Sequence, residues 1–175
     1  MDKIHIIERF IEHLKNNDKS PSTVTSYGSD LYLFSQWFEK ANHEIIKANK
    51  ITPTDLRQYK DYLINYPMKP QTINRKINVI KIFIKWLLET DRIKNRFPMP
   101  KPVKESITAP KWLDKNQQHF MMRHLERYGN ERDKAIVKIL LNTGLRVSEL
   151  ADLKWSEVRM TDKKGAITIR NSKAN

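Results

Sequence analysis

Cysteine is absent from the 175 residues. That excludes disulfide scaffolds, Cys-ligated zinc modules and thiol catalysis. It is compatible with the cytoplasm, the expected location. No apolar run approaches the ~18 residues of a membrane span, so a transmembrane protein is not expected. The opening MDKIHIIERF carries acids and lacks a small-residue cleavage site, which argues against a secretory signal. Glycine is scarce, with four residues, and three of them (Gly129, Gly144, Gly165) lie in the last third. Long stretches therefore run without the strongest breaker, which favours helices.

Charge is plentiful and unevenly placed. The net charge is +13. Residues 1–68 hold nine basic and nine acidic side chains. Residues 69–104 hold ten basic side chains against Glu89 and Asp91, and residues 105–175 hold fourteen against nine. A basic block of this kind suits a polyanion, because each phosphate neutralised releases counterions. The plainer reading is a solvated basic surface.

Hydrophobic spacing reads as helix through most of the chain. Ile4, Ile7, Phe10, Ile11 and Leu14 line one face over 3–16. Ser20-Pro21 starts a second helix, to about Lys40, with Leu31, Phe34, Trp37 and Phe38 inward. A third begins near Thr52-Pro53 and carries Leu56, Tyr59 and Leu63. A fourth runs from Pro70 to about Thr90 with Ile73, Ile77, Ile80, Ile84 and Leu87 inward. Residues 97–110 hold four of the eight prolines and read as an extended linker open to protease. Helices over about 114–128, 131–143 and 146–153 follow, with Gly144 stopping the second. Gly165–Arg170 alternates as a strand. The second and fourth helices share a pattern: Pro21-Ser-Thr23 and Pro70-Gln-Thr72 are each followed by Phe eleven residues after the Thr and Trp three later. Chance or shared helix physics could yield this, so the pattern by itself points to no function.

Two places carry chemistry. On the fourth helix, Gln71, Asn74, Arg75, Asn78, Lys81 and Lys85 recur at spacings of three and four, with no acid before Glu89. Amides can read adenine edges and cations can hold phosphates or guanine, so the stripe suits a major groove. It also fits an ordinary solvated face. The second place is Asn142-Thr-Gly-Leu-Arg146-Val-Ser-Glu149-Leu150. An arginine at a helix start opposes the macrodipole by a few tenths of a kcal/mol, up to ~1. It gains a purpose if an anion binds there. The alternative is a surface arginine packing its stem.

TGLRVSEL followed by ADLKW resembles the segment around the first catalytic arginine of the tyrosine recombinases, the phage integrase and Xer-like family. Residues 19–38 and 69–88 resemble the second and fourth helices of that family's DNA-clamping domain. The resemblance covers essentially the whole chain. It implies a mainly α protein: a four-helix SAM-like core-binding domain over 1–96, a linker over 97–110, and the start of an α+β catalytic domain over 111–175. Arg146 matches the arginine that holds the scissile phosphate. Glu149 matches the acid that helps orient the site. Lys173 falls where the family has its β-hairpin lysine, the general acid for the leaving 5′ hydroxyl. DNA contacts are implied for Ser22, Thr23 and Ser26, and for Lys69, Gln71, Thr72, Asn74, Arg75, Lys76, Asn78 and Lys81. Lys69 stands where relatives often carry a Ser cap. The implied partner is a double-stranded DNA recombination site, with self-association on DNA into a tetramer for the full-length enzyme. The implied chemistry uses no metal or cofactor.

The family's histidine–x–x–arginine box and nucleophilic tyrosine lie downstream of the lysine. Here all six tyrosines precede Arg146, and the one histidine–x–x–arginine string, His124–Arg127, precedes it too. The expectation is an N-terminal portion that binds DNA without cutting it. Two further readings stay open: a short regulator of recombination sites, and a helical adaptor whose basic block meets an acidic protein.

Overall fold

The computed structural model describes residues 5–105, 112–161 and 164–169. The chain divides into two compact units, Met1–Thr108 and Ala109–Asn175. Among the described residues no helix is long and apolar enough to cross a membrane.

The first unit is four helices: α1 (His5–Asn16), α2 (Pro21–Asn42), α3 (Pro53–Ile64) and α4 (Pro70–Glu89). Each start is local chemistry. Ser20 Oγ accepts the Thr23 N–H ahead of α2. At α3, Thr52 Oγ1 accepts the Asp55 N–H (3.2 Å) while Asp55 Oδ2 accepts the Thr52 N–H (2.8 Å), a reciprocal cap. Lys69 gives α4 no side-chain cap, and Pro70 alone presets its first turn. Asp18, His43 and Asp91, at φ 54°, 53° and 52°, turn the chain out of α1, α2 and α4 in the left-handed region.

The internal echo is realised in three dimensions. Every buried residue of α1 and α2 has a buried counterpart forty-nine positions on. Ile7, Phe10 and Leu14 correspond to Leu56, Tyr59 and Leu63; Leu31, Phe34 and Phe38 correspond to Ile80, Phe83 and Leu87. The aromatic contacts repeat as well. Tyr59 lies 4.9 Å from Phe34 at 62° and 5.1 Å from Trp37 at 54°. Phe10 lies 5.3 Å from Phe83 at 68° and 5.3 Å from Trp86 at 53°. Tyr62 on Trp37 and His13 on Trp86 extend the two clusters in the same sense. So α2 packs on α3 as α4 packs on α1, and the unit is a pseudo-two-fold pair of helical hairpins. Ser26 and Arg75 are equivalent positions and touch each other at 2.8 Å. A residue meets its own counterpart only near the axis, so the axis passes there.

After α4 the chain does not leave the unit at residue 97. Phe97, Met99 and Val103 are half-buried against the core, so the first part of the proline-rich segment is a packed strap. Proline keeps it out of helix, but apolar side chains at alternate places hold it down.

The second unit holds α5 (Lys115–Tyr128), α6 (Glu131–Thr143), α7 (Val147–Ala151) and the strands β1 (Val158–Met160) and β2 (Gly165–Ile167). Asp114 and Gln117 cap α5 reciprocally, and Asn130 Oδ1 accepts the Asp133 N–H at α6. Gly144, at φ 68°, donates its N–H to the Leu140 carbonyl and ends α6. A Cβ there would meet nothing within 4 Å, so glycine is favoured by conformation and not by space. The strands form an antiparallel hairpin with Val158 opposite Ile167. The sequence shows β2 but not β1: VRM is too short to display alternation. The helix expected over 146–153 is one turn shorter. No described side chain of this unit is buried.

Candidate nucleic-acid interface and catalytic arginine

The stripe on α4 is present but not uniform. Gln71, Arg75, Asn78 and Lys81 are exposed, as is Lys69 just before the helix. Thr72 is half-buried. Lys76 departs from expectation: it is 7% exposed and buries its Nζ 2.7 Å from Asp30 Oδ1. It follows Arg75 directly, and one residue is a 100° rotation, which carries it from the solvent face to the α2 side. Its charge supports the core and not the surface.

Asp30, 3% exposed, is the anchor. Besides Lys76 it takes Arg75, through Nη1 at 2.6 Å to Oδ2 and Nη2 at 3.1 Å to Oδ1. Arg75 Nη1 also donates to Ser26 Oγ. Two cations on one buried carboxylate leave a local charge of +1, and Arg75 stays half exposed with its fork held in one orientation. The Asp30 charge also reaches Tyr59, whose phenol is pushed well above its ordinary range by burial first and that charge second. Sequence reading missed Asp30, since an acid in a balanced segment shows no sign of facing α4.

On α2, Ser22 is exposed, Thr23 is half-buried with its Oγ1 2.8 Å from Ser20 Oγ, and Ser26 is engaged by Arg75. Gln71, Thr72 and Arg75 are the pseudo-symmetric counterparts of these three. Of the α2 and α4 candidates, Ser26 and Arg75 are brought into contact at the axis. Asn74 is half-buried, with its carboxamide taken by Val103 and Glu105.

In the second unit Arg146 occupies the N-cap position of α7. Glu149 Oε2 accepts the Arg146 N–H at 2.8 Å, and Oε1 accepts from Nη1 at 2.9 Å. An arginine side chain has no acceptor, so only the Glu149 half of a reciprocal cap exists. The backbone N–H of Arg146 first, and its guanidinium second, hold the Glu149 carboxyl below its ordinary range. Glu149 thereby orients a guanidinium that remains 62% exposed. Lys173 lies outside the described residues. His124 meets Tyr128 one turn on in α5, with the rings 4.9 Å apart and tilted at 45°, as a surface helix pair does. Among the described residues no group of three or more His, Cys, Asp or Glu is placed to hold a metal.

Residues 7–90 match the phage integrase N-terminal SAM-like domain, and residues 111–175 match the phage integrase family. A tyrosine recombinase XerC from Staphylococcus carnosus is 30% identical over 162 residues, 90% of this chain and 53% of the relative. XerC from Staphylococcus aureus is 29% identical over 158 residues, 88% of this chain and 52% of the relative. The chain thus spans about half the length of the curated relatives it matches. A crystal structure of XerA recombinase is similar over 93% of this chain and 58% of its own, at a TM-score of 0.41 and 23% identity. With a SAM-like helical unit followed by the arginine-bearing turn of the catalytic unit, the chain belongs to the phage integrase family of tyrosine recombinases.

Proposed function

We propose that this chain binds duplex DNA through the α2–α4 face and contributes part of a site for DNA strand cleavage and rejoining in site-specific recombination. The observation that carries the reading is the exposed side of α4. It shows amides and cations with no acid between Pro70 and Leu88, beside a neutral hydroxyl face on α2. A stripe kept free of acids while the same helix end recruits Asp30 inward suits phosphates outside. Changing Lys69 and Lys81 to alanine, both exposed and outside the core, should weaken duplex binding and leave the helical circular dichroism unchanged. Two lost phosphate contacts should flatten the slope of log K against log salt by ~2, at ~0.9 per contact. An unchanged slope would remove α4 from the interface.

Arg146 is proposed to hold the scissile phosphate, with Glu149 fixing its orientation. Its planar fork can meet two phosphate oxygens where a lysine offers a point charge. Charge builds on those oxygens in the transition state, so Arg146→Lys in a complete enzyme should lose cleavage far more than binding. Lys173 is proposed as the general acid, a role worth ~100- to 10,000-fold. Lys173→Ala should recover cleavage on a substrate with a bridging 5′ sulfur, since a thiolate leaves without a proton. No tyrosine follows Arg146 in this sequence, so the chain alone should bind a recombination site and form no covalent adduct. Assembly into a tetramer on DNA is proposed for the complete enzyme alone.

A further inference from the structure

Asn74 belongs to the α4 stripe, yet both of its amide donors and its amide oxygen are already engaged. Nδ2 donates to the Val103 carbonyl (2.9 Å) and to Glu105 Oε1 (2.7 Å), and Oδ1 accepts the Val103 N–H (2.7 Å). A carboxamide carries the donor and acceptor of a peptide group, so Asn74 pairs with Val103 as a neighbouring strand would. Its pseudo-symmetric counterpart, Thr25, bonds only the Pro21 carbonyl within its own helix. The clasp is therefore a departure from the repeat at this position, made at the end of the unit from which the chain runs on to the second unit.

We propose that Asn74 is a positioning residue: it clasps the strap of residues 97–105 onto α4, and DNA on α4 and the clasped strap exclude one another. The half-buried Phe97, Met99 and Val103 fix the strap sideways, and Asn74 fixes its register at Val103. Register at Val103 sets the point at which the chain leaves the first unit. The clasp also brings the Glu105 carboxylate onto a stripe that otherwise carries no acid. A phosphate backbone lying on that stripe meets this carboxylate, and the repulsion is removed if the strap lets go. Linkage then makes the effect mutual: DNA loosens the strap, and loosening the strap favours DNA. This coupling rests on the DNA reading above; the clasp itself does not.

The test uses the whole chain and the hydrogen exchange of the Val103 amide, whose partner is the Asn74 side chain. Without DNA, Asn74→Ala should speed that exchange by about tenfold, the support of one neutral hydrogen bond. Asn74→Asp keeps an acceptor for the Val103 N–H but loses both donors and sets a carboxylate against the Val103 carbonyl and Glu105, so it should speed exchange by less than Asn74→Ala does. Adding Glu105→Gln supplies an amide that can donate to the new carboxylate, and should restore protection. A merely space-filling role for Asn74 would show no such rescue. Unchanged Val103 exchange in Asn74→Ala, or no rescue in the double variant, overturns the clasp. Glu105→Gln alone keeps the acceptor and removes the charge. It should leave Val103 protected and raise affinity for a duplex by about fivefold, the low end of couplings between sites. Duplex added to the unaltered chain should reduce Val103 protection. If both affinity and protection stay put while Lys69→Ala/Lys81→Ala weakens binding, the exclusion is overturned and the DNA reading stands. If Lys69→Ala/Lys81→Ala has no effect either, the DNA reading itself has failed.

Discussion

Adjacent residues on α4 do opposite work. Arg75 and Lys76 carry the same charge and both pair with Asp30, but Arg75 keeps about half of its side chain in solvent while Lys76 buries its amine. Removing one member of a buried ion pair costs several kcal/mol, because the partner is left desolvated and unpaired. Asp30→Ala should therefore lower stability by about 3–5 kcal/mol in denaturant titration, with Lys76 left behind. Lys76→Ala should destabilise the unit while leaving the salt slope of DNA binding near its unaltered value. That combination separates an internal cation from a phosphate contact. Glu149 gives a pH signature. Its folded carboxyl sits below the ordinary glutamate range, so the α7 cap is complete above that range and is lost as pH falls through the lowered value. Following the Arg146 amide and the Glu149 carboxyl by NMR during acid titration should show the two moving together, below the ordinary glutamate midpoint.

Helices α2 and α4 start and pack alike because their sequences repeat the same physics forty-nine residues apart. Pro at the first turn, Thr two later, and a Phe–Trp pair at equal offsets give each helix one aromatic cluster with its neighbour. Phe34 and Phe83 are both fully buried, Phe34 edge-on to Tyr59 and Phe38 and Phe83 edge-on to Phe10. Phe→Ala at either place should cost about 3–5 kcal/mol, from lost transfer and an unfilled cavity. The two variants should agree within ~1 kcal/mol in urea melts if the pseudo-symmetry governs packing. The strap shows the opposite situation. Four prolines announce that 97–110 is not helix, and that much holds where the segment is described. Its packing against the core comes from three apolar side chains and one asparagine that sequence spacing does not single out.

At the scale of the molecule, burial is concentrated in the first unit. Its core includes Phe10, Leu31, Phe34, Phe83 and Leu87 at 1% exposure or less. The second unit exposes Trp112 (76%) and Trp155 (81%) and buries none of its described side chains. Unfolding should not be a single two-state event. Tryptophan reports on both units at once: Trp37 and Trp86 in the first, Trp112 and Trp155 in the second. With Trp112→Phe and Trp155→Phe in place, fluorescence should follow one sharp transition with a blue-shifted folded baseline. A broad transition in that variant would show that the first unit lacks an independent core.

The amino-acid sequence by itself determined the helices and their starts, the stop of α6 at Gly144, the basic block, and the turn that carries Arg146. These depend on periodicity, proline, capping side chains and one glycine, all of which act within a few residues. Tertiary structure alone decided which cations face outward. Arg75 and Lys76 both reach Asp30 of another helix, but rotation about α4 leaves one side chain half in solvent and buries the other. It also decided that Asn74 holds the strap, because Val103 is 29 residues away and no local pattern ties them. Long-range pairing is invisible to spacing, since the residues that meet are brought together by the packing of the four helices and not by their order along the chain.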